Sequence, residues 1–339
     1  MAVGIGTILI TGANGSLAFH AIRYLLLNPT KYSLLLTVRN ASEEDPNTEA
    51  LHKLLDEHKA GSHASVRQLD HTNLALVHDF AHGIATEIAN GELPPLVSIV
   101  CNAYHWNLCR PMELTPDGFE QSFQVIHLAH VALVLRLLGS FHPHKAGRIV
   151  LFSTDAIFPG KNALEKLPPA IPEELDLLAH PPPDRRKDDL AYGFRRYANA
   201  KLAVVMWMHA LNRRLEKSPK LQHVTAVAVW PGSLSDSRAL RTNTPAMIQC
   251  LSKIIIRPLR PLITLVDPTV RTSQDAGIDA ARLATNEEMQ NERGHLVLLQ
   301  KEDGPPDSLD EQKQEKIWLE SARWIGLATQ DTTFESLFK

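Results

Sequence analysis

The chain has 339 residues, with 35 Lys+Arg against 38 Asp+Glu and a formal net charge of −3. Hydrophobic residues at 44% and charged residues at 22% exclude a mostly disordered chain, and the near-neutral balance excludes a general nucleic-acid binder, which needs a concentrated basic surface. The three cysteines (Cys101, Cys109 and Cys250) cannot form a disulfide framework, and no CxxC or Cys/His zinc spacing offers a metal site, so a reducing, cytoplasmic setting is expected. The N-terminal stretch has no basic flank or long apolar core and does not read as a secretory signal. Without one, Asn14-Gly-Ser and Asn40-Ala-Ser read as chance glycosylation matches. No run reaches the ~18 apolar residues of a membrane span. The nearest, residues 248–266, is broken by Lys253, Arg257, Pro258, Arg260 and Pro261. It reads as a substrate-side helix and turn, or as a basic interfacial anchor that would give peripheral membrane association.

In chain order, the first expected strand is 7–10, ending in Thr-Gly-Ala-Asn-Gly. A helix over 16–27 follows, with Leu17, Ala21, Ile22, Leu25 and Leu26 at helical spacing and Asn28-Pro29 as its stop. Strands at 33–38 and 65–69 come next, then an amphipathic stretch at 72–88 and a strand at 97–101. A helix over 119–138 leads to a strand at 148–153, a helix over 191–215 to a strand at 224–230, and 294–299 reads as the last strand. Strands separated by helices imply βαβ crossovers and a mostly parallel sheet. Two stretches break the rhythm: 158–190, with Pro181-Pro182-Pro183 and Asp184-Arg185-Arg186-Lys187, and the polar 300–314. Both are expected as loops, because they carry too little apolar surface to order themselves.

Five local patterns carry chemistry. Thr11-Gly12-Ala13-Asn14-Gly15-Ser16-Leu17-Ala18 joins a strand to a helix, where small residues let the backbone approach a pyrophosphate at the helix N-terminus. Arg39 stands at the tip of the second strand, with no carboxylate before Glu43. A basic tip there favours the 2′-phosphate of NADP(H), unless Arg39 is only a solvated loop residue. Asp70 follows the third strand and reads as an acceptor for the adenine amino group, as a helix N-cap, or as both. Tyr197 and Lys201 stand four apart and share a helix face, where an ammonium would lower the phenol pKa towards working pH. The strand ending at Ser153-Thr154 presents two hydroxyls, either a turn or hydrogen-bond donors to a substrate carbonyl.

Taken in order, with Cys101-Asn102-Ala103-Tyr104 and Pro231-Gly232 added, these patterns resemble the short-chain dehydrogenase/reductase family over roughly residues 5–300. The resemblance implies an α/β fold: one Rossmann-type, doubly wound domain over 1–339 with a largely parallel seven-stranded sheet. It implies hydride transfer between NAD(P)H and a carbonyl or alcohol. By residue, it implies Tyr197 as general acid/base and Lys201 as its tuner and ribose ligand. Thr154 is the orienting hydroxyl, with Ser153 as fallback. Gly12, Asn14, Gly15 and Leu17 form the pyrophosphate turn, Asn102 lies near the adenine ribose, and Pro231-Gly232 closes over the nicotinamide. The turn reads TGxxGxxA rather than TGxxxGxG, and Cys101 and Tyr104 depart from the Asn-Asn-Ala-Gly pattern. Ile126 stands where many relatives place a relay Asn. His127 and His130 are candidate substitutes for it, although histidines on an apolar helix are more often structural. The 43 residues between Thr154 and Tyr197 make room for the 158–190 insertion, expected as a lid or rim at the substrate mouth.

The helix around Tyr197 is similar to retinol-dehydrogenase and 3-ketosteroid-reductase members. The 231–238 loop and the tail from Lys316 are similar to fungal secondary-metabolite members. The expected activity is NADP(H)-dependent interconversion of a ketone and a secondary alcohol on a bulky apolar substrate, with region 234–290 on the substrate side and its 234–266 part as the wall. Two other readings are a non-catalytic, cofactor-sensing protein of the same fold and an extended-type epimerase or dehydratase. Pairing through the two long helices would give a homo-oligomer.

Overall fold

The computed structural model describes residues 5–27, 32–184 and 188–334. Asn28-Pro29 and Arg185-Arg186-Lys187 lie outside the described residues. Seven parallel strands carry the fold: β1 (Gly6–Ile10), β2 (Tyr32–Val38), β3 (Ala64–Gln68), β4 (Leu96–Cys101), β5 (Gly147–Phe152), β6 (Val224–Trp230) and β7 (Gly294–Val297). An eighth, β8 (Gln300–Lys301), corrects the expected count of seven. It pairs antiparallel to β7, because Leu298 takes a positive φ of 55° and turns the chain back before 299. The order is β8-β7-β6-β5-β4-β1-β2-β3, so the winding reverses between β1 and β4. Ligands of such sheets bind outside the carboxyl ends of the strands at that reversal.

Strand side chains alternate between two apolar layers, as period-two geometry requires. Ile8, Ile10, Leu34 and Leu36 face one layer, covered by α1 (Ser16–Leu27), α2 (Pro46–Glu57) and α7 (Ser273–Ala284). Leu9 and Leu35 face the other, covered by α3 (Leu74–Ala89), α4 (Gln121–Ser140), α5 (Asp189–Lys217) and α8 (Glu311–Trp324). The remaining long helix, α6 (246–266), lies outside both layers. Among the described residues, α4 has the length and apolarity to cross a membrane, but it is almost entirely buried in the second layer. Trp207 of α5 stacks on Trp318 of α8 at 5.7 Å, so the chain's own C-terminal helix covers that face of α5.

Three regions depart from the sequence expectation. α2 falls where no element is expected, started by Asp45 as N-cap and Pro46 in its first turn. The 158–190 segment is largely irregular, as expected, but it does bury apolar surface: Leu175, Leu178 and Ala179 enter the second core. Residues 300–314 hold β8, a short helix (Pro306–Leu309) and the start of α8. Hydrogen bonds order this polar stretch where apolar burial does not: Gln314 Nε2 donates to Ser308 O at 2.7 Å and Ser308 Oγ donates to Pro305 O at 2.7 Å.

The second layer buries three histidines. His127 pairs with Ser321 Oγ at 2.7 Å, while His130 pairs with Thr11 Oγ1 at 2.9 Å and with Ile126 O at 2.9 Å. These contacts make both structural. Burial lowers His71 from 6.5 to about 4, only partly offset by Val125 and Asp70, and lowers His127 to about 3. An unfolded chain would bind these protons from pH 6.5 downwards and the folded chain would not, so stability is full above 6.5 and falls progressively towards pH 4. Each group contributes on the order of 3 kcal/mol across that window. Thermal unfolding followed between pH 7 and pH 4 should show a steep loss of Tm that His127→Gln reduces; a flat profile would refute the assignment.

Candidate active site

The glycine turn is built against the end of β4. Gly12 has φ +59°, and a Cβ there would stand 3.0 Å from Ala103 Cα, so only glycine fits. Asn102 Nδ2 donates to Thr11 O at 3.2 Å and to Gly12 O at 3.0 Å, and Ala103 N donates to Thr11 Oγ1 at 3.0 Å. Asn102 is thus a clamp on the turn, and its amide is already engaged there. Asn14 Nδ2 donates to Thr48 Oγ1 at 3.0 Å, which ties the turn to α2.

A cavity of about 350 Å³ runs from this turn across the ends of β2 and β3, with Arg39, Asp45, Asp70 and His71 on its walls. Arg39 is exposed and takes part in no ion pair among the described residues. Of the two carboxylates on these walls, Asp45 is occupied as the N-cap of α2 by Asn47 N at 3.0 Å and Thr48 N at 2.9 Å. Asp70 does not cap α3; Asn73 does, because Asp70 Oδ1 is taken by Thr72 N at 2.9 Å and Thr72 Oγ1 at 2.8 Å. From the far side of the sequence, Arg238 reaches in: its guanidinium donates to Asn14 O and its backbone N donates to Ser16 Oγ at 3.2 Å.

A second cavity of about 460 Å³ adjoins the first and shares Gly15, Asn102, Tyr104, Trp106 and Ala239 with it. Tyr197, Lys201, Thr154 and Ser153 meet on its walls with Leu17, Pro231 and Gly232. The two hydroxyls at the end of β5 separate in role. Thr154 pairs with the Tyr197 phenol and donates to Asp155 Oδ1 at 3.0 Å, whereas Ser153 is held by His295 Nε2 at 3.0 Å. Trp106 stacks edge-on against Tyr197 at 4.8 Å and donates to Thr244 Oγ1 at 2.8 Å. Gly232 has φ +92°, and a Cβ would approach Thr269 O to 2.4 Å, so the loop after β6 closes tightly on a short parallel ladder of Ser233–Leu234 with Val270–Arg271.

The electrostatics correct one expectation. Burial raises the Tyr197 pKa, with Tyr104 adding to the rise and Thr154 opposing it. Burial also lowers Lys201 to about 7. Lys201 Nζ donates to Phe152 O at 2.9 Å and stands 5.9 Å from the Tyr197 ring centroid. In this arrangement desolvation sets the direction, and the phenol is held protonated. Ile126 is buried in a π turn (Gln124–Leu128) and offers no side-chain polar group. Of the described residues of the 158–190 segment, Asn162 and Leu164 alone reach the second cavity. The remaining wall comes from Leu234, Leu240, Ile256 and Ile263, within the stretch expected to face substrate. Sequence reasoning does not find Trp106, His295 or Arg238 as site residues, since each acts on a partner far away in the chain, nor Asp45, whose local role as a helix cap gives no sign that it borders the cavity.

The chain aligns with the short-chain dehydrogenase iccH of Talaromyces variabilis at 28% identity over 98% of both chains. The chain is an oxidoreductase of the short-chain dehydrogenase/reductase family. Human retinol dehydrogenase 13 is 26% identical over 95% of this chain and 85% of its own. The AcuH dehydrogenase domain family matches residues 238–334, which hold α6, α7 and α8. Among solved structures, a short-chain dehydrogenase from Burkholderia cenocepacia in complex with NADP superposes with a TM-score of 0.57 at 17% identity, over 88% of this chain and 98% of its own. That likeness is one of fold. The family assignment accounts for the order of the motifs, and the cavities account for their meeting at the sheet's point of reversal.

Proposed function

We propose that this family member binds NADP(H) and interconverts a ketone and a secondary alcohol on a bulky, mostly apolar molecule in a cytoplasmic biosynthetic pathway, running mainly as a reductase. The observation that carries this reading is the convergence of Tyr197 and Thr154 on one apolar cavity that opens onto the glycine-turn cavity. The cofactor is supported by the donor set: a turn with no room for side chains, the start of α1, and two cations, Arg39 and Arg238, at the adenosine end. The Burkholderia dehydrogenase of the same fold is itself in complex with NADP. When bound, the cofactor supplies or accepts the hydride. Arg39 binds the 2′-phosphate, and Lys201 holds the ribose side. Thr154 orients the carbonyl oxygen, and Tyr197 donates the proton that the developing alkoxide needs.

A non-catalytic, cofactor-sensing role is the second reading, favoured by Ile126 in place of a polar relay residue. Titration with NADPH and then NADH, followed by nicotinamide fluorescence, tests the first step. NADPH should bind more tightly, and Arg39→Ala should weaken NADPH alone by about ten- to hundredfold. Equal affinity for both cofactors would remove the 2′-phosphate role from Arg39. Binding of neither would remove the oxidoreductase reading.

A further inference from the structure

α6 forms one wall of the apolar cavity and is exposed on its other side. Ile256 and Ile263 line the cavity, while Met247, Leu251, Ile254, Leu259, Leu262 and Val266 recur at intervals of three to five along the outer face. Met247 is 80% exposed and Val266 89%, so nothing among the described residues covers this stripe. Such a run of large apolar side chains on one helix face is more than the scattered exposure of an ordinary surface.

Charge decides what fits it. Between Asp236 and Asp267 the chain has five cations (Arg238, Arg241, Lys253, Arg257 and Arg260) and no carboxylate, on a protein of net charge −3. Arg238 belongs to the cofactor-side cavity, Arg241 donates to Asp236 O at 2.9 Å and Arg257 donates to Ser235 O at 3.1 Å, which leaves Lys253 and Arg260 beside the stripe. A second copy docked through the same face would set these cations against their own counterparts, because a two-fold interface is self-complementary. An anionic bilayer surface meets both features, with apolar side chains in the acyl boundary and cations on lipid phosphates.

We infer that α6 is a membrane-surface element: it lies in the headgroup layer of an anionic bilayer and opens the apolar cavity towards lipid-dissolved substrate. The lipid contact stands apart from the proposed function, whereas its use as a substrate route rests on that reading.

Co-flotation of the full chain with vesicles tests it, using phosphatidylcholine alone and phosphatidylcholine with about 30% phosphatidylserine. The protein should float with the anionic vesicles, less so at high salt, and weakly with the neutral ones. Lys253→Gln with Arg260→Gln should lower the partition by more than tenfold, at roughly fivefold per charge. Leu259→Glu with Leu262→Glu should abolish it, with circular dichroism, Tm and NADPH fluorescence unchanged as the check on folding. Absence of flotation, equal flotation on both vesicle types, or flotation of the Leu variant at the wild-type level would each overturn the inference. So would a dimer in ultracentrifugation that the Leu variant dissociates without any lipid binding. Since flotation needs no cofactor, failure of wild-type NADPH binding would sink the proposed function and leave the vesicle result standing.

Discussion

Tyr197→Phe is expected to reduce turnover of a ketone substrate by about 10²- to 10⁴-fold while leaving NADPH affinity near the wild-type value. The change removes one oxygen and keeps the ring that packs edge-on against Trp106. What is lost is the proton donor: hydride addition leaves charge on the carbonyl oxygen, and Thr154, whose proton is directed at Asp155 in this structure, orients that oxygen by turning the same proton to it and has none to give up. Because burial raises the Tyr197 pKa, the phenol is protonated across neutral pH. Reduction should therefore be flat through that range, and alcohol oxidation, which needs the phenolate, should climb as pH rises. Single-turnover rates with NADPH and a bulky cyclic ketone, measured beside fluorescence binding, check both points. A variant that keeps its rate would move the proton transfer to another group. A wild type that binds NADPH and turns over nothing would favour the cofactor-sensing reading.

Arg148→Met is expected to destabilise the fold by about 3–5 kcal/mol, from losing three buried hydrogen bonds to a charged donor at about 1.5–3 kcal/mol each, less the cost of burying that charge. Arg148 lies in β5 with no exposed surface. Its guanidinium donates to Asn286 Oδ1 at 2.9 Å, Glu292 O at 2.7 Å and Met289 O at 2.6 Å. These acceptors belong to the turn between α7 and β7, where Asn286, Met289 and Asn291 all have positive φ. That side chain ties three points of the strained turn to β5, and methionine would leave Glu292 O without a donor, while Met289 O would keep only the Glu292 N–H. Arg148 is itself costly to bury, which lowers its pKa to about 10, so a lysine with fewer donors should recover only part of the loss. Urea unfolding of the wild type, Arg148→Met and Arg148→Lys would show the order; equal midpoints would refute it.

The main elements are legible in the sequence where burial and backbone period agree. Helix 16–27 and strand 224–230 fall where expected, because continuous apolar runs and regular spacing leave few alternatives. α2 is harder to read: its signal is a cap and a proline, Asp45-Pro46, followed by a weak apolar face. β8 has no apolar signal, since an edge strand of Gln300 and Lys301 is selected by backbone pairing alone. The ionisation of Tyr197 could not be read from spacing. Tyr197 and Lys201 do share a helix face, but whether an ammonium or desolvation wins depends on how deeply both are buried, and burial is decided by distant residues such as Trp106.

The order of motifs, the alternation of strand and helix, and the identities of Gly12, Tyr197 and Lys201 are properties of the chain itself, for each depends on neighbours within a few positions. Other features depend on contacts between residues far apart in sequence. Thr154 is separated from Ser153 by His295 of β7, Arg238 is brought over the glycine turn, and α6 has one face on the cavity and the other bare. Only the packing of β5 against β6 and β7, and of the 231–271 segment across the sheet's point of reversal, decides them. Local propensity acts over a turn of helix or a strand pair, whereas a binding site is made by elements that meet only after the sheet has closed.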